Sequence, residues 1–272
     1  MTTDTDKKPH LSASSLDTLG KCSMKYLYKY IEGLPDPASP SLVIGSSVHY
    51  TAATNLQNYI DVGSYLDVND IPDMAADASK AEWDKQEIKL IDEREIEIGP
   101  EKTRGEAIDT AVSLSLLHYN ELAPGFDPEF VEREFRIHLP NYDYDLIGGI
   151  DVQESGNLRD LKTAGKTPAK DAAERNLQLT IYAMAIAALD SKLPNMVTLD
   201  FLVKLKTPKV VICESTRDKS DFHAVIKRVE LASKIIRSGV YYPATDGAWW
   251  CSEKYCNYYD LCPFGRRNSK QF

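Results

Sequence analysis

Two aspartates and a lysine have the types and spacing needed to hold a metal ion and act on a phosphate. Gly149-Ile150-Asp151 is followed, eight residues later, by Asp160-Leu161-Lys162, with the turn-forming stretch ESGN between them. Two antiparallel strands joined by a tight turn bring residues near their far ends side by side, so we expect Asp151 and Asp160 to converge. Carboxylates are hard ligands for a hard divalent cation. Lys162 lies on the same strand face as Asp160, where an ammonium can orient water or steady phosphate charge.

Four cysteines form a second candidate site. Cys251, Cys256 and Cys262 are spaced C-x4-C-x5-C, and Cys22 precedes them by more than two hundred residues. Four thiolates suit an iron–sulfur cluster or zinc, and either would join the two ends of the chain. Structural zinc sites usually come as two close pairs, so one solitary and three clustered ligands favour a [4Fe–4S] cluster with a structural role. Cys213, in an apolar run, is interpreted as a small buried hydrophobe.

Composition limits the classes of protein to consider. The 272 residues carry a net charge of −9 and are 43% hydrophobic, as in an ordinary globular protein. No segment approaches the roughly 18 apolar residues of a membrane helix, and we expect a cytoplasmic protein that does not enter a membrane. Cysteines in that reducing compartment are ligands more often than disulfides. Local groups of basic residues remain compatible with nucleic acid, namely Arg159, Lys162, Lys166, Lys170 and Arg175; Lys204, Lys206 and Lys209; and Arg266, Arg267 and Lys270.

The predicted elements place these residues on an α/β fold. The N-terminal region is predicted to contain a helix from Ser12 capped by Ser14 or Ser15, a second helix from about Ser41, and a mostly helical stretch over 61–125 that ends in a helix at 107–122. Further along, the patterns predict strands at 129–139, 144–153, 158–163, 198–206 and 209–214, with helices at 168–189 and 221–237.

The predicted domain organisation follows from this order. Residues 1–10 are predicted to be a disordered tail, and 11–272 a single domain. Within it, 50–125 is a helical elaboration, 126–240 the α/β catalytic core, and 241–272 the cysteine segment that pairs with Cys22.

Taken together, the motifs resemble the PD-(D/E)XK nucleases, and in particular their RecB-like iron–sulfur branch. Asp151 with Asp160-Leu161-Lys162 resembles the signature itself. His49 ends a G-x-x-x-H pattern that begins at Gly45, and Gln178 with Tyr182 resembles the Q-x-x-x-Y motif of that branch. The split cysteine set resembles its helicase–nuclease subunits, its CRISPR-adaptation nucleases and their phage homologues. The C-x4-C spacing is wider than the C-x2-C of relatives, and residues 61–125 match no motif.

The resemblance implies a restriction-endonuclease-like core and a DNA exonuclease using Mg²⁺ or Mn²⁺, through one metal or two, with single-stranded ends cut in the 5′→3′ direction. It implies that His49, Asp151, Asp160 and the Leu161 carbonyl hold the metal. Imidazole is softer than carboxylate and so favours manganese somewhat. Lys162 would serve the attacking water, and the remaining members would line the site, namely Gln178, Tyr182 and a carboxylate that is either Glu132 or Glu134.

Two other functional hypotheses stay open from sequence. The chain could be a DNA-end-binding subunit of a recombination or CRISPR-adaptation complex, or a zinc-stapled structural protein with a vestigial nuclease fold. The aromatic residues around the last cysteines could stack on bases, although packing around the cofactor is the favoured interpretation; they are Trp249, Trp250, Tyr255, Tyr258 and Tyr259.

Overall fold

A mixed β-sheet is built around the hairpin that carries Asp151 and Asp160. The computed structural model describes residues 8–265. Its strands are β1 (His10–Leu11), β2 (Pro128–Ile137), β3 (Asp145–Glu154), β4 (Asn157–Ala164), β5 (Met196–Val203) and β6 (Lys209–Ser215). Strands β3 and β4 pair antiparallel, β4 and β5 parallel, and β5 and β6 antiparallel, while β2 lies beside β3 and β1 runs parallel to the start of β3.

Eight α-helices accompany the sheet in the described residues. They are α1 (Ala13–Lys21), α2 (Ser23–Tyr26), α3 (Pro40–Val62), α4 (Asp70–Lys85), α5 (Glu93–Ile98), α6 (Pro100–Leu117), α7 (Leu177–Leu189) and α8 (Lys219–Ser238). Short π-helical turns follow α2 at Leu27–Ile31 and α6 at His118–Leu122. The prediction of a mixed α/β fold with a mixed sheet and flanking helices is confirmed.

The chain divides into two units. The larger comprises Pro37–Glu134 and Gly149–Arg217, and the smaller comprises the described parts of Met1–Asp36, Phe135–Gly148 and Asp218–Phe272. The single nuclease domain over 11–272 stays a prediction. Of the predicted disordered tail, residues 1–7 lie outside the described part of the chain, and His10 begins β1. The last basic group, Arg266, Arg267 and Lys270, also lies outside the described residues.

In the larger unit, α3 is delimited by clear signals. The side chain of Ser39 accepts a hydrogen bond from the Leu42 N–H, Pro40 occupies the first turn, and Gly63 ends the helix in the left-handed conformation (φ +77°). Buried residues of α3 and α6 pack with apolar residues of the sheet, among them Val48, Leu56, Leu114, Leu161 and Leu202. This packing holds α3 along β4, where a Cβ atom on Gly45 would lie 3.4 Å from the Thr163 Oγ1 atom.

The helix predicted over 168–189 is shorter than expected. It begins only at Leu177, with Asn176 as its cap. The guanidinium of Arg217, which is 7% exposed, donates to the backbone carbonyls of Ala173, Glu174 and Asn176 and to the hydroxyl of Thr180. Because these carbonyls bind Arg217, the segment before α7 does not need helical hydrogen bonds to satisfy them.

The N-terminal helix differs from the prediction in two ways. Ser12, and not Ser14 or Ser15, is the cap, and it forms a reciprocal capping box with Ser15. The helix is also interrupted at Cys22, whose backbone is extended (φ −163°, ψ 103°) between α1 and α2. The helix at 107–122 likewise begins earlier than predicted, at Pro100, and its last residues form the π-helical turn.

Within residues 8–265, no helix is both long enough and apolar enough to cross a lipid bilayer.

Candidate active site and cysteine site

The hairpin register places Asp151 and Asp160 as expected from the turn between them. Val152 pairs with Arg159, so the next residues along the two strands are Asp151 and Asp160. The Leu161 N–H donates a hydrogen bond to the Asp151 Oδ2 atom at 2.8 Å. Asp160 is fully buried, and neither carboxylate oxygen has a hydrogen bond of good geometry within residues 8–265. Its close partner is the Lys162 Nζ atom, 2.7 Å from Oδ2.

His49, Glu132 and Asp151 form a compact group of potential metal ligands. One donor atom from each residue lies within 4.8 Å of the donors of the other two. The His49 Nδ1 atom is 3.3 Å from the Asp151 Oδ2 atom. Asp160 lies outside this tightest group but interacts electrostatically with all three residues. A fully buried carboxylate without donors, next to an imidazole and two further carboxylates, fits a divalent cation.

The backbone of Glu132 explains why this glutamate reaches the group. Its φ angle is +49°, in the left-handed region, although it lies within strand β2. Such a residue breaks the regular alternation of a strand and redirects its side chain, as bulges near active sites do. Alternation alone left Glu132 and Glu134 as equal candidates; the structure brings Glu132 to His49 and Asp151.

Burial shifts the proton affinity of every acid in this group. Removal from water raises the pKa of Asp151 to about 7 and that of Asp160 to about 6, and the Asp151 charge contributes to the second shift. The pKa of Glu132 is raised by burial and by Asp160. Burial lowers the pKa of His49, against the opposing effect of Asp160, so its imidazole is neutral and able to bind metal at neutral pH.

Lys162, Gln178 and Tyr182 form a hydrogen-bonded chain beside the carboxylates. The Lys162 ammonium donates to the Gln178 Oε1 atom at 2.9 Å, and the Gln178 amide donates to the Tyr182 hydroxyl at 2.5 Å. Gln178 and Tyr182 are one turn apart on α7, which places both on one helical face. Burial, together with the charges of Asp160 and Asp151, raises the pKa of Tyr182, so the phenol stays protonated.

Arg159 does not belong to the exposed basic group that the sequence suggested. Its guanidinium donates to Glu154 and to both carboxylate oxygens of Asp200 at 3.0 Å, and lies over the Phe126 ring. Asp200, 1% exposed, was missed by sequence reasoning, although a charged residue inside the apolar run MVTLDFLV was a usable signal.

The four candidate ligand cysteines all belong to the smaller unit; they are Cys22, Cys251, Cys256 and Cys262. Burial, followed by the charges of Cys22, Cys256 and Cys262, raises the pKa of the Cys251 thiol, which shows that the four thiols are neighbours. Within residues 8–265, no three of these sulfurs lie within 4.8 Å of one another, so they do not form a closed ligand set. Cys213 lies apart, buried in β6, and its interpretation as a small core residue is confirmed.

Protein contacts alone already join Cys22 to the C-terminal cysteines. The Met24 N–H and the Ser23 hydroxyl both donate to the Tyr242 carbonyl, and the Tyr242 N–H donates to the Ser23 Oγ atom. Tyr258, 3% exposed, packs on Tyr28 with ring centroids 5.5 Å apart.

The aromatic residues of this segment divide into two groups. Tyr258 packs beside the cysteines, as predicted, in a cluster that includes Cys22, Cys256 and Cys262. Trp249 is 66% exposed and stacks edge-on with Trp250 and Tyr255. The expectation that the aromatic residues shield a cofactor is therefore wrong for Trp249, because most of its ring faces solvent.

Comparison with known proteins agrees with this fold and site. The sequence model of the PD-(D/E)XK nuclease superfamily matches residues 10–263. The chain belongs to that superfamily. The matched range includes the β3–β4 hairpin and the cysteine segment.

Two solved structures resemble the chain. A "putative exonuclease" from Eubacterium rectale is 13% identical, with a TM-score of 0.55 over 100% of this chain and 92% of that one. At this identity the similarity supports the fold alone. The protein SSO0001 is 14% identical, with a TM-score of 0.35 over 89% of this chain and 94% of that one. No curated protein matches the sequence.

The left-handed conformation of Glu132 gives a testable difference between two substitutions. An L-residue in this region costs about 1–2 kcal/mol, whereas glycine adopts it without that cost. We expect Glu132→Gly to be more stable than Glu132→Ala by about 1 kcal/mol in urea unfolding, because both remove the carboxylate but only glycine relieves the backbone. At Glu134, in regular strand, the order should reverse; the same order at both positions would contradict the strained backbone.

The raised pKa values predict that the metal-free protein loses stability as pH rises. Asp151, with a pKa raised to about 7, and Asp160, raised to about 6, bind protons more tightly when folded than when unfolded. Stability should therefore fall between about pH 4 and 7. Thermal melting in EDTA should show this fall, and Mn²⁺ should raise the melting temperature more at pH 8 than at pH 5.5. Asp151→Asn should flatten the profile; an unchanged slope in that variant would contradict the assignment.

Proposed function

We propose that this protein is a metal-dependent DNA exonuclease that hydrolyses single-stranded ends and carries a structural [4Fe–4S] cluster. The observation that carries the proposal is the convergence of His49, Glu132 and Asp151 beside the buried Asp160 and the Lys162–Gln178–Tyr182 chain. Exonuclease activity is supported by the superfamily and by the description of the Eubacterium rectale neighbour. The 5′→3′ direction comes from the resemblance to RecB-like nucleases.

His49, Asp151, Asp160 and Glu132 would hold Mg²⁺ or Mn²⁺, with the Leu161 carbonyl, which interacts with the His49 ring, as a further ligand. A bound divalent ion supplies a polarised phosphate and a water of lowered pKa. A bound cation would displace the proton that Asp151, whose pKa is raised to about 7, partly retains at neutral pH. The neutral His49 imidazole makes manganese at least as good a cofactor as magnesium.

Lys162 would act on the water and the phosphate. Within residues 8–265 its ammonium forms an ion pair with Asp160 and donates one hydrogen bond to Gln178, which leaves donor capacity for a phosphate oxygen or the attacking water. Gln178 is itself fixed, because its amide donates to the Tyr182 hydroxyl while its carbonyl accepts from Lys162. The chain therefore holds the ammonium in one position before substrate arrives, which reduces the reorganisation needed in the transition state.

Basic residues near the site support a nucleic-acid substrate. Strands β4 and β5 run parallel, so their carboxyl ends lie at the same edge of the sheet, close to Lys162. Beyond these ends are the exposed Lys166, Lys170 and Lys206 and the half-buried Lys204, which donates to the Ser41 hydroxyl. Lys204 and Lys206 line an open groove of about 490 Å³. Such a groove can follow a phosphate backbone despite the net charge of −9.

The cluster proposal rests on the four cysteines of the smaller unit. In tetrahedral zinc sites the Zn–S bond is about 2.3 Å, which requires sulfurs about 3.8 Å apart. Within residues 8–265, no three of the cysteine sulfurs lie within 4.8 Å of one another. The preference for a four-iron cluster over zinc therefore comes from the sequence, with one solitary and three clustered cysteines, and from the family resemblance. The apolar and aromatic surroundings, including Met24, Tyr28 and Phe264, suit a shielded cluster.

The catalytic proposal predicts a specific defect in Lys162→Met. Single-strand cleavage should slow by at least roughly a hundredfold, because the ammonium acts in the transition state. The melting temperature should fall as well, because the buried Asp160 loses its charged partner, so activity is compared well below the melting temperature of the variant. Lys192→Met removes the same charge from an exposed loop and serves as the matched control, with activity close to wild type. End-labelled linear and circular single strands should be compared with Mg²⁺ and Mn²⁺.

Two outcomes of that experiment would contradict the proposal. Undiminished cleavage by Lys162→Met would remove the catalytic role of the lysine. Circular strands cut as fast as linear ones would show an endonuclease instead. Labels at opposite ends of the linear strand report the direction of digestion.

The cluster proposal predicts about four iron atoms per chain after anaerobic purification, with absorbance near 400 nm. Cys256→Ala should lose the iron and much of the solubility, because the cluster and the fold of the smaller unit are coupled. Cys213→Ala, in β6, should keep the iron and is the control. Stoichiometric zinc in place of iron would refute the iron–sulfur cluster and support the alternative of a zinc-stapled protein.

A further inference from the structure

An open groove lies between helix α6 and the turn that joins β5 to β6, and we call it the α6 groove. Its volume is about 490 Å³, within the range of roughly 300–1,000 Å³ that is usual for ligand sites. The α6 wall includes Asp109 and Ser113, and the wall formed by the turn includes Lys204 and Lys206. Two ammonium groups and one carboxylate are the charged groups of this lining, so the groove favours an anion.

Lys204 is held in this groove by contacts with two neighbouring elements. Its backbone N–H donates to the Ala164 carbonyl at the end of β4, and its Nζ atom donates to the Ser41 Oγ atom at the start of α3, both at 2.8 Å. Its Cε atom lies 3.7 Å from the place that a Cβ atom on Gly165 would occupy. An ammonium has three donors, so the bond to Ser41 leaves capacity for an anion. Burial lowers the pKa of Lys204, because the ammonium has lost part of its hydration.

Lys204 and the candidate catalytic Lys162 lie on opposite faces of the sheet. Lys162 pairs with Phe201 across β4 and β5, so these two side chains share a face, and Lys204 follows Phe201 by an odd number of residues. The contacts agree with this alternation, since Lys162 binds Gln178 of α7 whereas Lys204 binds Ser41 of α3. An ammonium is therefore present on each side of the sheet at the carboxyl ends of β4 and β5.

Helix α3 sets the distance between Lys204 and the candidate metal ligands. Ser41, which binds Lys204, and His49, which lies 3.3 Å from Asp151, are both on this helix. At about 1.5 Å of rise per residue, the two positions are ~12 Å apart along the helix axis. One phosphate group is too small to contact both places. A phosphate bound by Lys204 therefore belongs to a different nucleotide from the one at the candidate metal ligands.

We propose that the α6 groove is a second phosphate subsite for the DNA strand, in which Lys204 and Lys206 bind phosphates away from the bond that is cut. The strand crosses from the α7 side of the sheet to the α3 side, over the carboxyl ends of β4 and β5. The inference rests on the proposed nuclease function and specifies the path of its substrate. Lys206 is exposed, and no hydrogen bond or ion pair engages its ammonium among residues 8–265, so it is available to a further phosphate.

The test is the salt dependence of binding to a single-stranded DNA oligonucleotide, measured by fluorescence anisotropy with the intact protein. EDTA is present, so that no strand is cut during the titration. Each phosphate contact on a single strand contributes about 0.7 to the slope of log affinity against log salt concentration. Lys204→Met and Lys206→Met should each weaken binding and reduce the magnitude of that slope by about 0.7, and the double variant by about 1.4. Lys204→Arg keeps the charge and should retain the wild-type slope.

Lys192→Met is the matched control for loss of one positive charge. Lys192 is exposed and lines a different cavity from the α6 groove, so its variant should keep the wild-type slope. Steady-state cleavage provides a second measurement. Lys204→Met and Lys206→Met should act mainly by raising KM, because contacts away from the cut bond hold substrate and transition state alike, whereas Lys162→Met should lower kcat.

The outcomes separate this inference from the proposed function. Wild-type slopes in both Lys204→Met and Lys206→Met would overturn the subsite, even if the wild-type protein cuts DNA. An equal reduction of the slope in Lys192→Met would also overturn it, because the effect would then come from net charge. A wild-type protein that neither binds nor cuts single strands would overturn both proposals. If Lys204→Met loses stability with its Ser41 contact, the exposed Lys206 still decides the question by the same criterion.

Discussion

Repulsion among buried carboxylates is the constraint on which the larger unit depends. Asp151 and Asp160 are neighbours across the hairpin, with the more exposed Glu132 beside them, and Asp160 is fully removed from water. Such a group is stable only when protonated or when positive charge is present. Lys162 supplies part of that charge at 2.7 Å from Asp160. The deficit that remains is the basis of the proposed affinity for a divalent cation.

The same constraint explains why the surrounding elements are rigid. Helix α7 presents Gln178 and Tyr182 to Lys162, and the start of α7 is held by the hydrogen bonds of Arg217. Helix α3 brings His49 to the carboxylates by packing along β4. Two helices and the hairpin therefore meet at one group of like charges, and each is also held by contacts away from that group.

Strong local signals made much of this arrangement predictable from sequence. The alternation of the strands and the ESGN turn placed β3 and β4 to within about one residue, and the register of Asp151 and Asp160 follows from that turn. The segment before α7 was misassigned as helix because its composition favours helix, and the competing Arg217 is forty residues away in sequence. Long-range hydrogen bonds of this kind leave no periodic pattern.

The sequence could not decide whether Glu132 or Glu134 joins the candidate site. A strand pattern of period two assigns both residues to one face, and only the left-handed backbone at Glu132 separates them. Asp200 lacked any motif, and its pairing with Arg159 depends on which side chains meet in three dimensions. Sequence patterns recover residues placed by local geometry, and they miss those placed by tertiary contacts.

The discontinuity of the smaller unit has a consequence for biosynthesis. Its described parts come from three stretches, and residues from Asp218 onward leave the ribosome only after the whole larger unit has been made. Until then Ser23 lacks Tyr242 and Tyr28 lacks Tyr258, so the N-terminal helices emerge with an uncovered apolar surface. The smaller unit is therefore completed only after the larger unit has been synthesised.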